Sequence, residues 1–151
     1  STYTPKTTQY DNFSQRIVFV EVSYLNLNSV FSRYVTLARS SYNAGTPIVE
    51  YDTSLMKKYP REYQTFIFFH EVGHFKLGHL GTSPYFIASW PGIIPKEEYD
   101  ADCYSIRHLK KNLHYSPQQL ETVLRATDIY EVVQTGSPSV REELLSCFYQ
   151  K

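Results

Sequence analysis

Two histidines and a glutamate stand at a spacing that suits metal-assisted hydrolysis. The run His70-Glu71-Val72-Gly73-His74 follows the pattern H-E-x-x-H. Residues four apart share one face of a helix, so both imidazoles can reach a single metal ion, for which Zn²⁺ is the expected species. Glu71 lies one residue round the helix, where its carboxylate can take a proton from water at the metal. The pattern predicts a zinc site with His70 and His74 as ligands and Glu71 as general base.

Ordinary helix histidines are the alternative interpretation of this motif. The segment from Tyr63 to Phe75 is mostly apolar, so the cluster should lie inside the fold, where ionisable groups without a partner are costly. A bound metal removes that cost, and we therefore favour the metal site. His79 follows His74 by five residues, which matches the same helix face poorly, so we expect an ordinary residue at the helix end there.

A catalytic zinc site usually has three protein ligands and one open position. The elongated pattern H-E-x-x-H-x-x-G-x-x-H fails here, because it needs glycine at Leu77 and histidine at Leu80. The inverted order H-x-x-E-H is absent as well. Acids at the start of the next predicted helix are the remaining candidates: Glu97, Glu98, Asp100 and Asp102. A helix dipole also favours acids at that position, so position alone does not choose among them.

The acidic segment completes a resemblance. Glu98-Tyr99-Asp100-Ala101-Asp102, after the H-E-x-x-H run, resembles the E-x-x-A-D "glutamate helix" of gluzincin metallopeptidases. The chain is most similar to minigluzincins and to the catalytic core of CAAX-prenyl-protease-type enzymes. It is also similar to phage-repressor-cleaving metallopeptidases, whose active-site helix often continues as Gly-His, here Gly78-His79. The resemblance implies that Glu98 is the third zinc ligand and that Asp102 orients a zinc-binding histidine through its other ring nitrogen.

The resemblance implies a zinc metalloendopeptidase that hydrolyses peptide bonds, with Glu71 returning its proton to the leaving amine. The substrate is then an extended peptide or protein segment. It would pair through its backbone with an edge strand above the cleft, the place that Ile48-Val49-Glu50-Tyr51 would occupy. The candidate oxyanion donor is His108, and three other residues qualify equally by type: His114, Tyr104 and Tyr115.

Two further hypotheses stay open. A catalytically silent, zinc-containing module would capture a partner in the same cleft without cutting it, but such a module has no need of Glu71. A latent enzyme would have its site covered by the N-terminal arm or by the C-terminal helices. The resemblance covers roughly residues 16–114, so the role of the C-terminal segment is not implied by it.

Length and charge narrow the possible classes of protein. A chain of 151 residues suits one domain. We expect an arm at residues 1–15 and C-terminal helices at 115–151, and the resemblance implies a zincin core at 16–114. Fifteen basic and fifteen acidic residues balance, so no nucleic-acid partner is expected. No apolar run approaches the ~20 residues of a membrane span. The oligomeric state is not determined by these features.

Patterning predicts an α+β fold with strands first and helices afterwards, and the resemblance implies that this fold is zincin-like. Ile17 to Val22 is nearly all apolar, which predicts a central strand buried on both faces. Tyr34 to Ala38 and Ile48 to Tyr51 predict a hairpin with a loop of several residues, against an alternative helix from Asn28 to Arg39. Pro47 lacks an N–H donor, which places the second hairpin strand at the sheet edge.

Four helices should follow the strands. The active-site helix should run from Pro60 to about Gly81, and the glutamate helix should begin at Pro95. A third helix should run from Ser116 to Gln134, and a fourth should begin at Ser137-Pro138. A packed loop containing Trp90 should connect Leu80 to Pro95.

The two cysteines bear on the cellular compartment. Cys103 and Cys147 are compatible with a disulfide and equally with two small buried apolar residues. The chain opens without a signal sequence, so we expect either a cytosolic protein or a trimmed mature form. The tyrosine content and the sequon at Asn12-Phe13-Ser14 lean towards a secreted or periplasmic setting.

Overall fold

The computed structural model describes residues 17–23, 37–79, 96–135 and 139–149. Within these residues three strands come first and five helices follow, which confirms an α+β architecture with a small mixed sheet. The elements are β1 (Val18–Glu21), β2 (Ala38–Asn43), β3 (Thr46–Tyr51), α1 (Thr53–Met56), α2 (Arg61–Lys76), α3 (Lys96–Lys111), α4 (Pro117–Thr135) and α5 (Ser139–Phe148). The predicted arm at residues 1–15 and the loop with Trp90 lie outside the described residues.

The strand order β1-β3-β2 corrects two predictions about the sheet. β3 is central, with β1 parallel on one side and β2 antiparallel on the other. β1 is not central, and Val20 on it is 36% exposed. Pro47 does not force β3 to an edge, because pairing with β1 begins only at the next residue, where Ile48 faces Val18.

The predicted hairpin is present, but its turn is shorter than expected. β2 and β3 are joined by Ala44 and Gly45 alone, whose φ angles are 50° and 82°. Positive φ at both positions is the geometry of the tight hairpin turn, and glycine adopts it without a Cβ penalty. β2 therefore begins at Ala38 and fills the segment predicted to be a loop. The alternative helix is wrong for Ala38 and Arg39, and residues 28–36 lie outside the description.

α2 forms the middle layer of the fold. Twelve of its sixteen residues are buried, so both the sheet and the other helices must pack around it. On the sheet side the Phe68 ring lies edge-on to Phe19 and Tyr51, with centroids 5.8 and 5.0 Å away. On the opposite side α3 approaches closely at Gly73, where a Cβ would lie 3.0 Å from the Tyr104 ring. This close packing sets the distance between the two helices.

The limits of the four predicted helices agree closely with the sequence patterns, with one correction, and the short helix α1 was not predicted. α2 follows Pro60 but ends at Lys76, earlier than predicted, because Gly78 has a φ of 73° and turns the chain. The capping box before α4 is confirmed: the Ser116 N–H donates to Gln119 Oε1 at 2.8 Å, and the Gln119 N–H donates to Ser116 Oγ at 3.2 Å.

A disulfide joins α3 to α5. Cys103 and Cys147 are bonded, with Cα atoms 5.1 Å apart. Tyr99 also hydrogen-bonds Ser146, and the Lys110 ammonium donates to the Phe148 carbonyl at 2.8 Å. α5 is therefore fastened along the helix that carries the predicted acidic ligand. Among the helices described, none combines the length and the apolar content needed to cross a bilayer.

Candidate metal centre

Two imidazoles from α2 meet at one point. His70 and His74 are both buried, and their Nε2 atoms lie 3.1 Å apart. The spacing of four residues along α2 produces this geometry, as the motif predicts. Ligand atoms of His70, Glu71 and His74 all lie within 4.8 Å of one another. This buried group could hold a metal ion.

α3 brings a carboxylate to the same point. Glu98 Oε2 lies 2.9 Å from His70 Nε2, and Glu98 Oε1 lies 3.3 Å from His74 Nε2. Ligand atoms at 2.0 to 2.1 Å from a tetrahedral zinc are separated from one another by about 3.3 Å. The three observed separations are close to that value, so the donor set fits a metal of this size.

The contacts around His70 need a proton or a metal ion between these groups. Its Nδ1 lies 2.6 Å from Asp102 Oδ1, and a carboxylate can only accept, so Nδ1 carries the hydrogen. A neutral His70 then directs the lone pair of Nε2 at Glu98 and at His74. Lone pairs at about 3 Å repel unless a proton or a metal ion lies between them.

The pKa shifts of His70 and Glu98 indicate which of the two carries the proton when no metal ion lies between them. Burial lowers the pKa of His70, but the carboxylates of Asp102 and Glu98 outweigh it and raise that pKa well above its usual value. Burial raises the pKa of Glu98, yet His70 and His74 outweigh it and the net shift is downward. In the absence of a metal, these shifts favour a proton on His70, as an imidazolium beside the carboxylate of Glu98. A metal ion would compete with that proton for the same nitrogen.

Glu71 occupies a different position from Glu98. Its Oε2 lies 2.6 Å from the Ser40 hydroxyl, which also lies 2.9 Å from the Glu71 carbonyl oxygen. Burial raises the pKa of Glu71, and the two neighbouring histidines lower it in part. A carboxylate fixed on one oxygen and kept basic by burial is suited to proton transfer. Ser40 is missed by the sequence patterns because they place it in a loop.

The strand beside Glu71 is β2, which corrects the predicted cleft strand. Ile48 to Tyr51 pair with β1 on one side and with β2 on the other, so their backbone has no free edge for a peptide. Val49 and Tyr51 are also buried. β2 carries Ser40 towards α2, and among the described strands it pairs with β3 alone.

His79 lies against the site, contrary to the prediction of an ordinary helix-end residue. Its Nδ1 is 2.9 Å from His74 Nδ1. Burial lowers the pKa of His79, and His74 lowers it further. The prediction fails because it extends helical geometry beyond the residue at which α2 ends.

The oxyanion candidates are spread along and beyond α3. His108 stacks on Phe69 with centroids 4.0 Å apart, and burial together with Lys76 lowers its pKa. It follows Glu98 by ten residues, a helical rise of about 15 Å. Tyr104 packs on Gly73, and His114 is exposed beyond the end of α3. Assignment of an oxyanion donor to His108 stays a prediction.

The chain was compared with models of protein families, with curated proteins and with solved structures, and none of them matches it. The site is therefore interpreted from its own geometry.

Proposed function

We propose that this protein is a zinc-dependent metallopeptidase of the gluzincin type, with His70, His74 and Glu98 as ligands and Glu71 as general base. One observation carries the proposal: both Nε2 atoms and both oxygens of Glu98 converge within 2.9 to 3.3 Å, while Glu71 stands beside them on α2. Two imidazoles and one carboxylate form a ligand set known for catalytic zinc, whereas structural zinc sites are usually closed by four ligands.

Access to the site also supports catalysis. The His70 and His74 side chains are only 11% and 10% exposed, but the Glu98 side chain is 46% exposed. Solvent therefore reaches the ligands from the side of α3 on which Glu98 lies. A site that is buried on one side and open on the other leaves room for a water molecule and a substrate.

A divalent ion bound there would supply Lewis-acid chemistry, polarising a carbonyl and acidifying water. The protein supplies the proton transfer. Glu71 takes a proton from water and gives it to the leaving amine, while Ser40 holds one of its carboxylate oxygens. Asp102 holds the His70 ring in the orientation that points Nε2 into the site.

An extended peptide is the substrate class that fits the sheet. A peptide added to the outer side of β2 would gain main-chain hydrogen bonds and would lie next to Ser40, the residue that touches Glu71. The scissile bond of such a peptide would lie near the general base. In this proposal β2 has the role that the resemblance gives to Ile48–Tyr51.

The first experiment separates metal binding from catalysis. Glu71→Gln keeps the size of the side chain but removes its basicity, so it should retain one zinc per chain and lose peptide cleavage by about 10² to 10⁴-fold. Glu62→Gln, the same change in the first turn of α2, is the matched control and should cleave normally. Cleavage by Glu71→Gln at the wild-type rate would contradict the mechanism. Zinc binding without cleavage by any form would indicate a binding module instead.

A second experiment tests the third ligand. Glu98→Ala should lose zinc affinity strongly, because it removes both oxygens that face the histidines. Asp100→Ala, two residues later on the same helix, should bind zinc like the wild type. Equal affinities for the two variants would remove Glu98 from the ligand set.

A further inference from the structure

We propose that His79 is a positioning residue that accepts a hydrogen bond from His74 Nδ1 and so fixes the second imidazole of the site. The inference rests on the proposed metal site. The two Nδ1 atoms lie 2.9 Å apart, which is a hydrogen-bond distance for ring nitrogens. The mechanism above assigns no role to His79.

The end of α2 explains how residues five apart come into contact. Leu77 is the last residue with helical angles, and Gly78 follows with a φ of 73°. The Gly78 N–H donates back to the Phe75 carbonyl at 3.2 Å, as in a Schellman-type helix end. In that motif the residue after the glycine folds back onto the residue five positions earlier. Here those two residues are His79 and His74.

The chemistry of the site sets the direction of the hydrogen bond. His74 directs Nε2 at His70 and Glu98, so Nε2 is the nitrogen that would give its lone pair to a metal. The hydrogen of the neutral His74 ring is then on Nδ1, which makes it the donor. His79 Nδ1 must accept, with its own hydrogen on Nε2. His79 Nδ1 faces the outer nitrogen of His74, so it does not serve as a fourth ligand.

The two ligand histidines are thus held by different partners. His70 donates to the largely buried carboxylate of Asp102 at 2.6 Å, whereas His74 donates to a neutral imidazole. Hydrogen bonds to a charged acceptor are shorter and stronger than those between neutral groups. We therefore expect removal of His79 to weaken zinc binding by about tenfold, the lower end of the range for residues that orient metal ligands.

The test uses three variants of the full chain. His79→Leu removes the acceptor and should weaken zinc binding by about tenfold. His79→Asn places an amide oxygen near the position of Nδ1 and should restore most of the affinity. His114→Asn, at an exposed position beyond α3 whose φ of 54° suits asparagine, is the matched control and should bind zinc like the wild type.

Two measurements decide the outcome. Competition with a zinc chelator gives the dissociation constants, and ¹⁵N spectra of labelled histidine report which nitrogen of His74 carries the hydrogen. In the metal-free protein, a mixture of His74 tautomers in His79→Leu, but a single Nδ1–H form in His79→Asn, supports the inference. Wild-type affinity in His79→Leu, or equal losses in both variants, would overturn it. Failure of the wild type to bind zinc would instead remove the proposed function, and the inference with it.

Discussion

The substitution Asp102→Asn isolates the effect of one largely buried charge on the metal site. Asn has nearly the shape of Asp, and its amide oxygen can still accept from His70 Nδ1, now 2.6 Å from the carboxylate. A hydrogen bond to a charged group contributes about 1.5–3 kcal/mol and one between neutral groups about 0.5–1.5 kcal/mol. The difference of roughly 1–1.5 kcal/mol corresponds to about a tenfold weaker zinc affinity. This loss lies within the range seen for other residues that orient metal ligands.

Asp100→Asn is the matched control for this prediction. It removes the same charge from the same helix, two residues away, but Asp100 pairs at 2.8 Å with Lys96, whose side chain is 85% exposed. Exposed pairs of this kind contribute about 0–1 kcal/mol. We expect no more than about a twofold change in zinc affinity for this variant, since exposed charges are screened at 0.15 M salt.

The assay is competition between the protein and a zinc chelator at 0.15 M salt, with thermal unfolding of the metal-free forms measured in parallel. The prediction holds if Asp102→Asn loses about tenfold in affinity while both metal-free variants unfold near the wild-type temperature. Equal losses of zinc affinity in the two variants would show that the negative charge acts on the metal through space and not through its hydrogen bond to His70. No loss in Asp102→Asn would refute the positioning role of Asp102.

Three other predictions concern the neighbours of the site. Ser40→Ala should lower kcat by about tenfold without loss of zinc, because the substitution removes the hydrogen bond that holds the general base. Ser41→Ala, on the other face of β2, should leave kcat unchanged, and equal kcat values for the two variants would contradict the prediction. Gly73→Ala should destabilise the protein by about 1 kcal/mol in urea unfolding, since crowding against Tyr104 of α3 exceeds the gain in helix propensity. A more stable variant would show that α3 can move to accommodate the added methyl group. Reduction of the Cys103–Cys147 disulfide, which spans 44 residues, should lower the unfolding free energy by about 4 kcal/mol; unchanged urea midpoints would contradict the chain-entropy estimate.

Local spacing predicts the part of the site that belongs to α2. A period of 3.6 residues places His70 and His74 on one face wherever the helix lies in the fold. Pro60 and the Ser116–Gln119 capping box mark helix starts in the same way, because caps depend on a few neighbouring residues. These features are visible in the sequence because the atoms that determine them are close along the chain.

Features that depend on distant pairing are not visible in this way. Ile17 to Val22 is the more apolar run, yet β3 is central, because strand order is set by contacts between segments far apart in the chain. Glu98 is selected among four acids only by resemblance, since helix spacing alone does not show which acid faces α2. Ser40 reaches Glu71 only through the hairpin, and no local pattern marks it.

The ligands of the site would be assembled in two stages during folding. One short stretch of the chain carries four residues of the site, which can come together as soon as α2 and the turn at Gly78 form: His70, Glu71, His74 and His79. Glu98 arrives only when α3 docks. A nascent chain would already offer two imidazoles to zinc, and an ion held there would then attract the Glu98 carboxylate and bring α3 towards α2. Zinc present during synthesis would therefore accelerate the docking of α3, and stopped-flow refolding with and without the metal would measure that acceleration.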